Sequence, residues 1–577
     1  MYDLVIKNGT IVDGTGRSAY RGDIGIRDQK IEKIGDLQDV QAHAVIDAAG
    51  KTVTPGFIEP HSHVDMTLLF HPSMETYLMQ GVTTVVSGNC GHGMAPMGNE
   101  IYRCAVDADR RATEELEPEF FGSMPPIFTN QKKIKPLLKK YFDVDLDWHT
   151  FEEFNRKCES LPIDCNIAPL VGHSAIRNTV MGADCRREAT EKELQEMERL
   201  LRDAMEQGAF GFSTGRDPAY EPSVYGDDAE IIRLLKIVKE YDGIFSSHTA
   251  NFLDGTFDNM TGYREFFRQA NAAAVRANIS HVQLMAEDRK GAVEEAQNII
   301  KYFEENEAQG LDFSYDVIPI ADASFVLCPY LASVFAPFVR MLGTRKRLAE
   351  CLAVPDFRDM VRAVVESGML PSIDTRQSDG IFGRFYIAKA KNKKLEGKLI
   401  SVLAKEAREN PLEYAMKLLT KDPNIRCGMS FQPCRKAYDI LINHRFAMPC
   451  IDGSSTDKDT SYSLSPELPE YPAPFYYNGM ISCVVHSKRP RFEDTIRQMT
   501  GFVAERFQIP KRGELKEGNF ADILVMDRMR LQSYELDENE RKYPDGLDYV
   551  VVNGAVTIEK KKHLGVAFGQ VLRKEKK

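Results

Sequence analysis

The chain has 577 residues, 43% of them hydrophobic and 28% charged, with a formal net charge of −11. That balance is ordinary for a folded globular protein and argues against a nucleic-acid binder, which would present a basic face. The length leaves room for roughly two to four domains, or for an α/β barrel with additions.

Residues Met1–Ile6 lack a basic stretch leading into a long apolar one, so a cytoplasmic protein without a signal peptide is expected. No apolar run reaches about 18 residues, so no membrane-spanning helix is expected. The 11 cysteines are scattered, without a Cys-x-x-Cys pair, which predicts free thiols.

In chain order, residues 1–52 read as short strands broken by turn signals. Leu4-Val5-Ile6 runs into Asn8-Gly9, and Thr10-Ile11-Val12 into Asp13-Gly14; such pairs are hairpin signals. From residue 55 the pattern changes. Strand-like runs at 83–86, 166–171, 209–212, 243–245, 278–280 and 313–315 alternate with helical patterns such as Glu191–Glu206 and Ala229–Tyr241. Alternation over some 400 residues predicts an α/β fold with a parallel sheet, most simply a (β/α)8 TIM-like barrel. Residues 340–440 read as a mostly helical, charged insert. Strand patterns return at Ala521–Met526 and Tyr549–Gly554. The expected organisation is a β-sandwich domain built from both termini (1–54 and 490–577) around a barrel (55–489).

Barrel strands deliver their C-terminal residues to one shared face, where active sites lie. His61 and His63 end the apolar run Pro55–Pro60, and their i, i+2 spacing turns both to one side of a strand. Cys90 follows the strand at 83–86, His248 the strand at 243–245, His281 the strand at 278–280, and Asp452 the run Met448–Ile451. Singly, each has an ordinary reading as a capped, buried or turn residue. Jointly, four histidines, a thiol and a carboxylate at strand ends predict a metal site. Imidazole, thiolate and carboxylate suit Zn²⁺. Such an ion acidifies water and polarises a carbonyl, and a carboxylate beside it can move a proton to a leaving nitrogen.

These residues resemble the amidohydrolase superfamily, and within it the N-acyl-D-amino-acid deacylases (D-aminoacylases), over nearly the whole chain. The resemblance is carried by Asp3–Gly14, Pro55–Asp65, Gly81–Gly91, Leu170–Arg177, Gly208–Gly215, Ser280-His281, Asp452-Gly453 and Arg512–Asp522. It implies zinc-dependent hydrolysis of a C–N amide bond. Cys90, His248 and His281 would hold the tight metal, His61 and His63 a second, weaker one, and Asp452 would be the general acid/base. His173 falls in a family motif and is either structural or a candidate for contact with the substrate carbonyl.

The substrate side departs from the family pattern. His248 is followed by Thr249-Ala250-Asn251, where Arg and Glu are usual. Gln283 stands where Lys is usual, and Asp316-Val317-Ile318-Pro319-Ile320 replaces Asp-x-Tyr-Pro-Tyr. Residues 469–477 replace a His-Pro-Arg segment. Arg216 and Tyr220 are candidate compensating donors, with a solvated loop as the alternative. A small-molecule amide is the expected partner, and a homo-oligomer is compatible with the sequence. Two alternatives stand beside deacylation: a cyclic-amide (hydantoinase-like) or dipeptide hydrolase, and a non-catalytic scaffold.

Overall fold

The structure is a computed structural model that describes residues 1–69, 72–98, 100–102, 128–130, 135–136, 138–140, 143–217, 220, 222–250, 252–253, 256–284, 289–319, 330–342, 344–370, 373–376, 378–429, 434–459, 475–534 and 541–575. Asn251, Ile320 and residues 469–474, singled out above, lie outside them. No described helix is long and apolar enough to cross a membrane. The nine described cysteines are free thiols.

The site rests on a series of parallel strands. Phe57–Glu59, Val82–Ser87 and Asn166–Pro169 pair in that order, and Val171–Gly172, Gly211–Gly215, Ile244–His248, Arg276–Ile279, Phe313–Val317 and Ala447–Pro449 pair in theirs. Leu170 links the two runs, and its N–H donates to the Ser87 carbonyl at 2.9 Å. The outer strands meet where Ser62 pairs with Gly453 in parallel. Side chains from several strands turn to a common interior: Ile58, Val86, Ala168, Leu170, Ile244 and Met448 form one cluster with Phe502 and Phe507 of the helix Gly501–Phe507.

Local chemistry explains the intervening helices. Glu191–Glu206 starts at a capping box in which Thr190 and Glu193 satisfy each other's backbone N–H groups. It buries Leu194, Met197, Leu201 and Met205, a one-sided apolar stripe.

Both chain ends contribute to one nine-stranded sheet. The N-terminal strand Tyr2–Ile11 pairs with Thr52–Pro55, which pairs antiparallel with Ile523–Met526. The strands share one apolar core around Ile6, Ile26, Val53, Ile523 and Val551. The Asn8-Gly9 hairpin expectation is corrected here. Asn8 (φ 61°) sits at a register shift inside one continuous strand. Asn-Gly tolerates a positive φ, and a bulge uses that tolerance as readily as a turn does.

The region expected to be an insert contains its own apolar cluster, which includes Leu331, Phe338, Leu348, Phe382, Met416 and Cys427. It is helical over Arg345–Leu352, Pro355–Val364, Ile400–Ala407 and Pro411–Lys421. It also contains an antiparallel strand pair, Phe385–Lys389 with Arg426–Met429, that the helical reading did not include.

Candidate metal centre

The predicted metal-site residues converge. Cys90 Sγ lies 3.2 Å from His61 Nε2, 3.4 Å from His281 Nε2 and 3.8 Å from His248 Nδ1. His248 Nδ1 and His281 Nε2 are 2.8 Å apart. The Asp452 carboxylate stands 3.2 Å from His63 Nε2 and 3.5 Å from His61 Nε2. Three overlapping groups have their ligand atoms within 4.8 Å of one another: His61–His63–Cys90, Cys90–His248–His281 and His61–His281–Asp452. The thiol is common to the first two. The His61 side chain is fully buried, while His63 and Asp452 are 15% and 17% exposed, so solvent reaches the cluster from their side.

Each group is placed by its strand end. Glu59 accepts from the N–H of His61 at 2.9 Å and from that of Ile451 at 2.7 Å, tying the first and last strands together beneath the cluster. The Cys90 loop turns through left-handed backbone at Gly88 (φ 75°), Cys90 (φ 56°) and Gly91 (φ 75°). A Cβ on Gly88 would meet the Leu170 carbonyl oxygen at 2.4 Å, so the position accepts only glycine. Asp65 accepts from the Gly88 N–H and Ser213 Oγ from the Gly91 N–H. His281 (φ 30°) and Asp452 (φ 53°) also have positive φ. Such conformations cost about 1–3 kcal/mol each in non-glycine residues and gather at functional sites.

The electrostatics call for positive charge at the centre. Burial alone would raise the Cys90 thiol, but His61, His281 and His248 draw it well below its usual range. Burial also works against an ionised Asp452, and His61, His63 and His281 outweigh it and hold the carboxyl low. His63 is pushed up to about 10 and His248 up to about 9. Burial opposes both shifts, and Asp452 and Cys90, or Asp217 and Cys90, prevail. A pocket that draws protons onto imidazoles in this way also offers a cation a place.

Residues 44–230 match the model of the amidohydrolase family. The chain is 27% identical over 576 residues to the D-aminoacylase of Alcaligenes xylosoxydans xylosoxydans, an alignment covering 99% of this chain and 97% of that protein. It is 31% identical over 330 residues to an N-acyl-D-glutamate deacylase of the same organism, across 57% of this chain and 59% of that one. Solved structures of D-aminoacylase align over 100% of both chains at a TM-score of 0.70 and 25% identity; one concerns its binuclear metal centre, with one-metal activation and second-metal attenuation. The chain is thus similar over its whole length to D-aminoacylase, a member of the amidohydrolases.

The candidate substrate residues fare differently from the candidate ligands. His173 is fully buried and committed: Nδ1 pairs with Ser223 Oγ at 2.9 Å and Nε2 with Glu230 Oε1 at 2.7 Å. Arg177 Nη1 donates to both Glu230 oxygens, at 2.5 and 2.6 Å. Burial would raise the Glu230 carboxyl, yet His173 and Arg177 hold it down at about 2. Of the two readings of His173, these bonds support the structural one, since both ring nitrogens are engaged. Ser223 Oγ accepts from the N–H of Gly215, and the N–H of Ser174 donates to the Gly91 carbonyl, so this network backs the Cys90 loop.

The expectation for Arg216 as a free donor is corrected. Its guanidinium donates to Glu265 Oε1 at 2.8 and 3.2 Å and to the Ser223 carbonyl at 2.7 Å. Tyr220 does border the cluster, its ring centroid 4.0 Å from that of His248 and 5.2 Å from that of His92. Gln283 is half-buried just beyond His281, and its carbonyl accepts from Asn259 Nδ2.

Three neighbours of the cluster escaped the reading of ligand types at strand ends. Asp316 lies one residue before the end of a strand and touches two candidate ligands: Oδ1 accepts the His281 N–H at 2.6 Å and lies 3.2 Å from His61 Nδ1. Asp217 pairs with His248 Nε2 at 2.9 Å. His92 lies between His63, at 5.3 Å between ring centroids, and the Tyr220 ring. Burial and the neighbouring His63 lower His92 to about 3, which keeps its ring neutral. Asp316 lies near a strand end and was legible there; Asp217 and His92 carry no spacing signal.

Proposed function

We propose that this chain is a metal-dependent hydrolase of linear amides, like the N-acyl-D-amino-acid deacylases, built on a closed (β/α)8 barrel with a smaller β domain from both termini. The observation that carries the reading is the convergence of one thiol and three imidazoles within 3.2–3.8 Å, beside the carboxylate of Asp452. The thiol–imidazole spacings bracket the roughly 3.5 Å expected between sulfur and nitrogen on one tetrahedral Zn²⁺, given bonds of about 2.3 and 2.0 Å, while the 2.8 Å between His248 Nδ1 and His281 Nε2 would open to about 3.3 Å on binding. Cys90, His248 and His281 would hold the principal ion, and His61 and His63, with the shared thiolate, a second.

When bound, an ion of this kind polarises an amide carbonyl and makes water acidic near neutral pH. The chain's own residues supply the rest. Asp452 is held at the open side by its N–H, which donates to the His61 carbonyl at 3.1 Å. There its carboxylate can accept a proton from the attacking water and hand it to the leaving nitrogen. Tyr220 borders the same opening and suits orientation of the amide.

The test uses purified protein. Chelation should abolish turnover of N-acyl-D-amino acids, and added Zn²⁺ should restore it. A panel that also contains hydantoins and dipeptides should show the linear N-acyl substrates fastest. Faster turnover of cyclic amides, or no bound metal and no metal-restored activity, would overturn the reading.

The polar groups also bear on substrate choice. Gln283 is neutral and the Arg216 guanidinium is engaged by Glu265. A charge-assisted bond contributes roughly 1.5–3 kcal/mol, or about 10–100-fold, where it forms. We therefore expect an N-acyl amino acid and its carboxamide to be cleaved within about tenfold of each other in kcat/KM. A preference above about 100-fold for the carboxylate would show a cationic partner at work.

A further inference from the structure

His248 is gripped by the turn that follows the strand Gly211–Gly215. The Arg216 N–H donates to the His248 carbonyl at 2.9 Å, and the Asp217 carboxylate takes the His248 Nε2 at 2.9 Å. The Tyr220 ring packs on the His248 ring, and the Tyr220 N–H donates to the Asp217 carbonyl at 2.8 Å. Arg216 is itself anchored to Glu265 and to the Ser223 carbonyl. The other ring nitrogen, Nδ1, faces Cys90 Sγ and His281 Nε2.

A neutral imidazole carries one proton, and its two nitrogens cannot both donate. A carboxylate on Nε2 takes the N–H and leaves the Nδ1 lone pair for an ion. It also makes the ring a stronger donor. We propose that Asp217 is a positioning residue for metal binding: it fixes His248 with its proton on Nε2, so that Nδ1 faces the ion. Asp217 and Tyr220 accordingly serve the metal pocket, and Arg216 acts as their anchor rather than as a substrate clamp. This rests on the metal-centre reading above.

The experiment measures Zn²⁺ affinity of the full-length protein by competition with a chromophoric chelator, for wild type, Asp217→Ala and Asp217→Glu. The absorption spectrum of each protein loaded with Co²⁺ is recorded alongside. Asp217→Ala should weaken Zn²⁺ binding by roughly 10–100-fold and shift the Co²⁺ bands. Asp217→Glu, which keeps the carboxylate, should recover part of both. Turnover of Asp217→Ala should climb back as Zn²⁺ is raised. Affinity within about twofold of wild type, with an unchanged Co²⁺ spectrum in a folded protein, would overturn the proposal. So would a raised KM at saturating Zn²⁺ with unchanged affinity, because Asp217 would then act on substrate. Absence of Zn²⁺ binding in the wild type would bring down the metal-centre reading itself, an outcome separable from the other two.

Discussion

Cys90→Ala is expected to lose its metal and at least about 10³-fold in turnover, because the thiolate is the charged ligand that both candidate positions share. The three imidazoles around it are neutral as ligands and cannot replace that charge. Metal analysis of the purified variant, with kcat/KM on the best N-acyl substrate, checks both losses. The fold should survive. Cys90 sits at φ 56°, a conformation that alanine tolerates no better than cysteine. Cys90→Gly relieves a left-handed strain of about 1–2 kcal/mol. With chelator present, Cys90→Gly should therefore melt above Cys90→Ala, although both are inactive. Full activity in either variant would remove the thiolate from the site. A drop in melting temperature as deep in Cys90→Gly as in Cys90→Ala would mean that the side chain holds the loop by packing.

Much of this candidate site was legible because parallel strands carry chemistry at their C-terminal ends. His61, His63, Cys90, His248, His281 and Asp452 each follow a strand-like run, and one rule finds all six. Asp316 lies one residue before the end of the strand Phe313–Val317, but a carboxylate's role as a partner of His61 and of the His281 N–H depends on contacts across strands. Asp217 was out of reach for a related reason. Its partner lies 31 residues away on the next strand, and its turn has no periodicity to mark it. His173 shows the same limit: its motif leaves a structural role and a substrate contact both open, and its bond to Glu230, 57 residues on, supports the structural one. The terminal sheet shows the limit of turn chemistry. Asn8-Gly9 licensed a positive φ correctly, but only the pairing of Tyr2–Ile11 with Tyr20–Arg27 and Thr52–Pro55 decides between a bulge and a hairpin. The strand pair in the insert joins residues about 40 apart across two helices, a non-local pairing that no short window records.

Asp452→Asn should separate proton transfer from metal binding. An asparagine amide keeps the size and shape of the carboxylate and tolerates φ 53° as well as any non-glycine residue, so the fold and the N–H bond to the His61 carbonyl should persist. It cannot accept a proton. Turnover is expected to fall by about 10²–10⁴-fold, the usual contribution of a general acid/base, with metal content unchanged. Metal analysis and kcat at saturating Zn²⁺ read the two effects independently. Retained turnover would take the proton-transfer role away from Asp452. Loss of metal together with turnover would make Asp452 chiefly a ligand, a role that its grouping with His61 and His281 leaves open to it. The exposure pattern favours the first role: Asp452 and His63 are the members of the cluster that solvent touches most, and a group that exchanges protons with water and a leaving amine must stand where both can reach it.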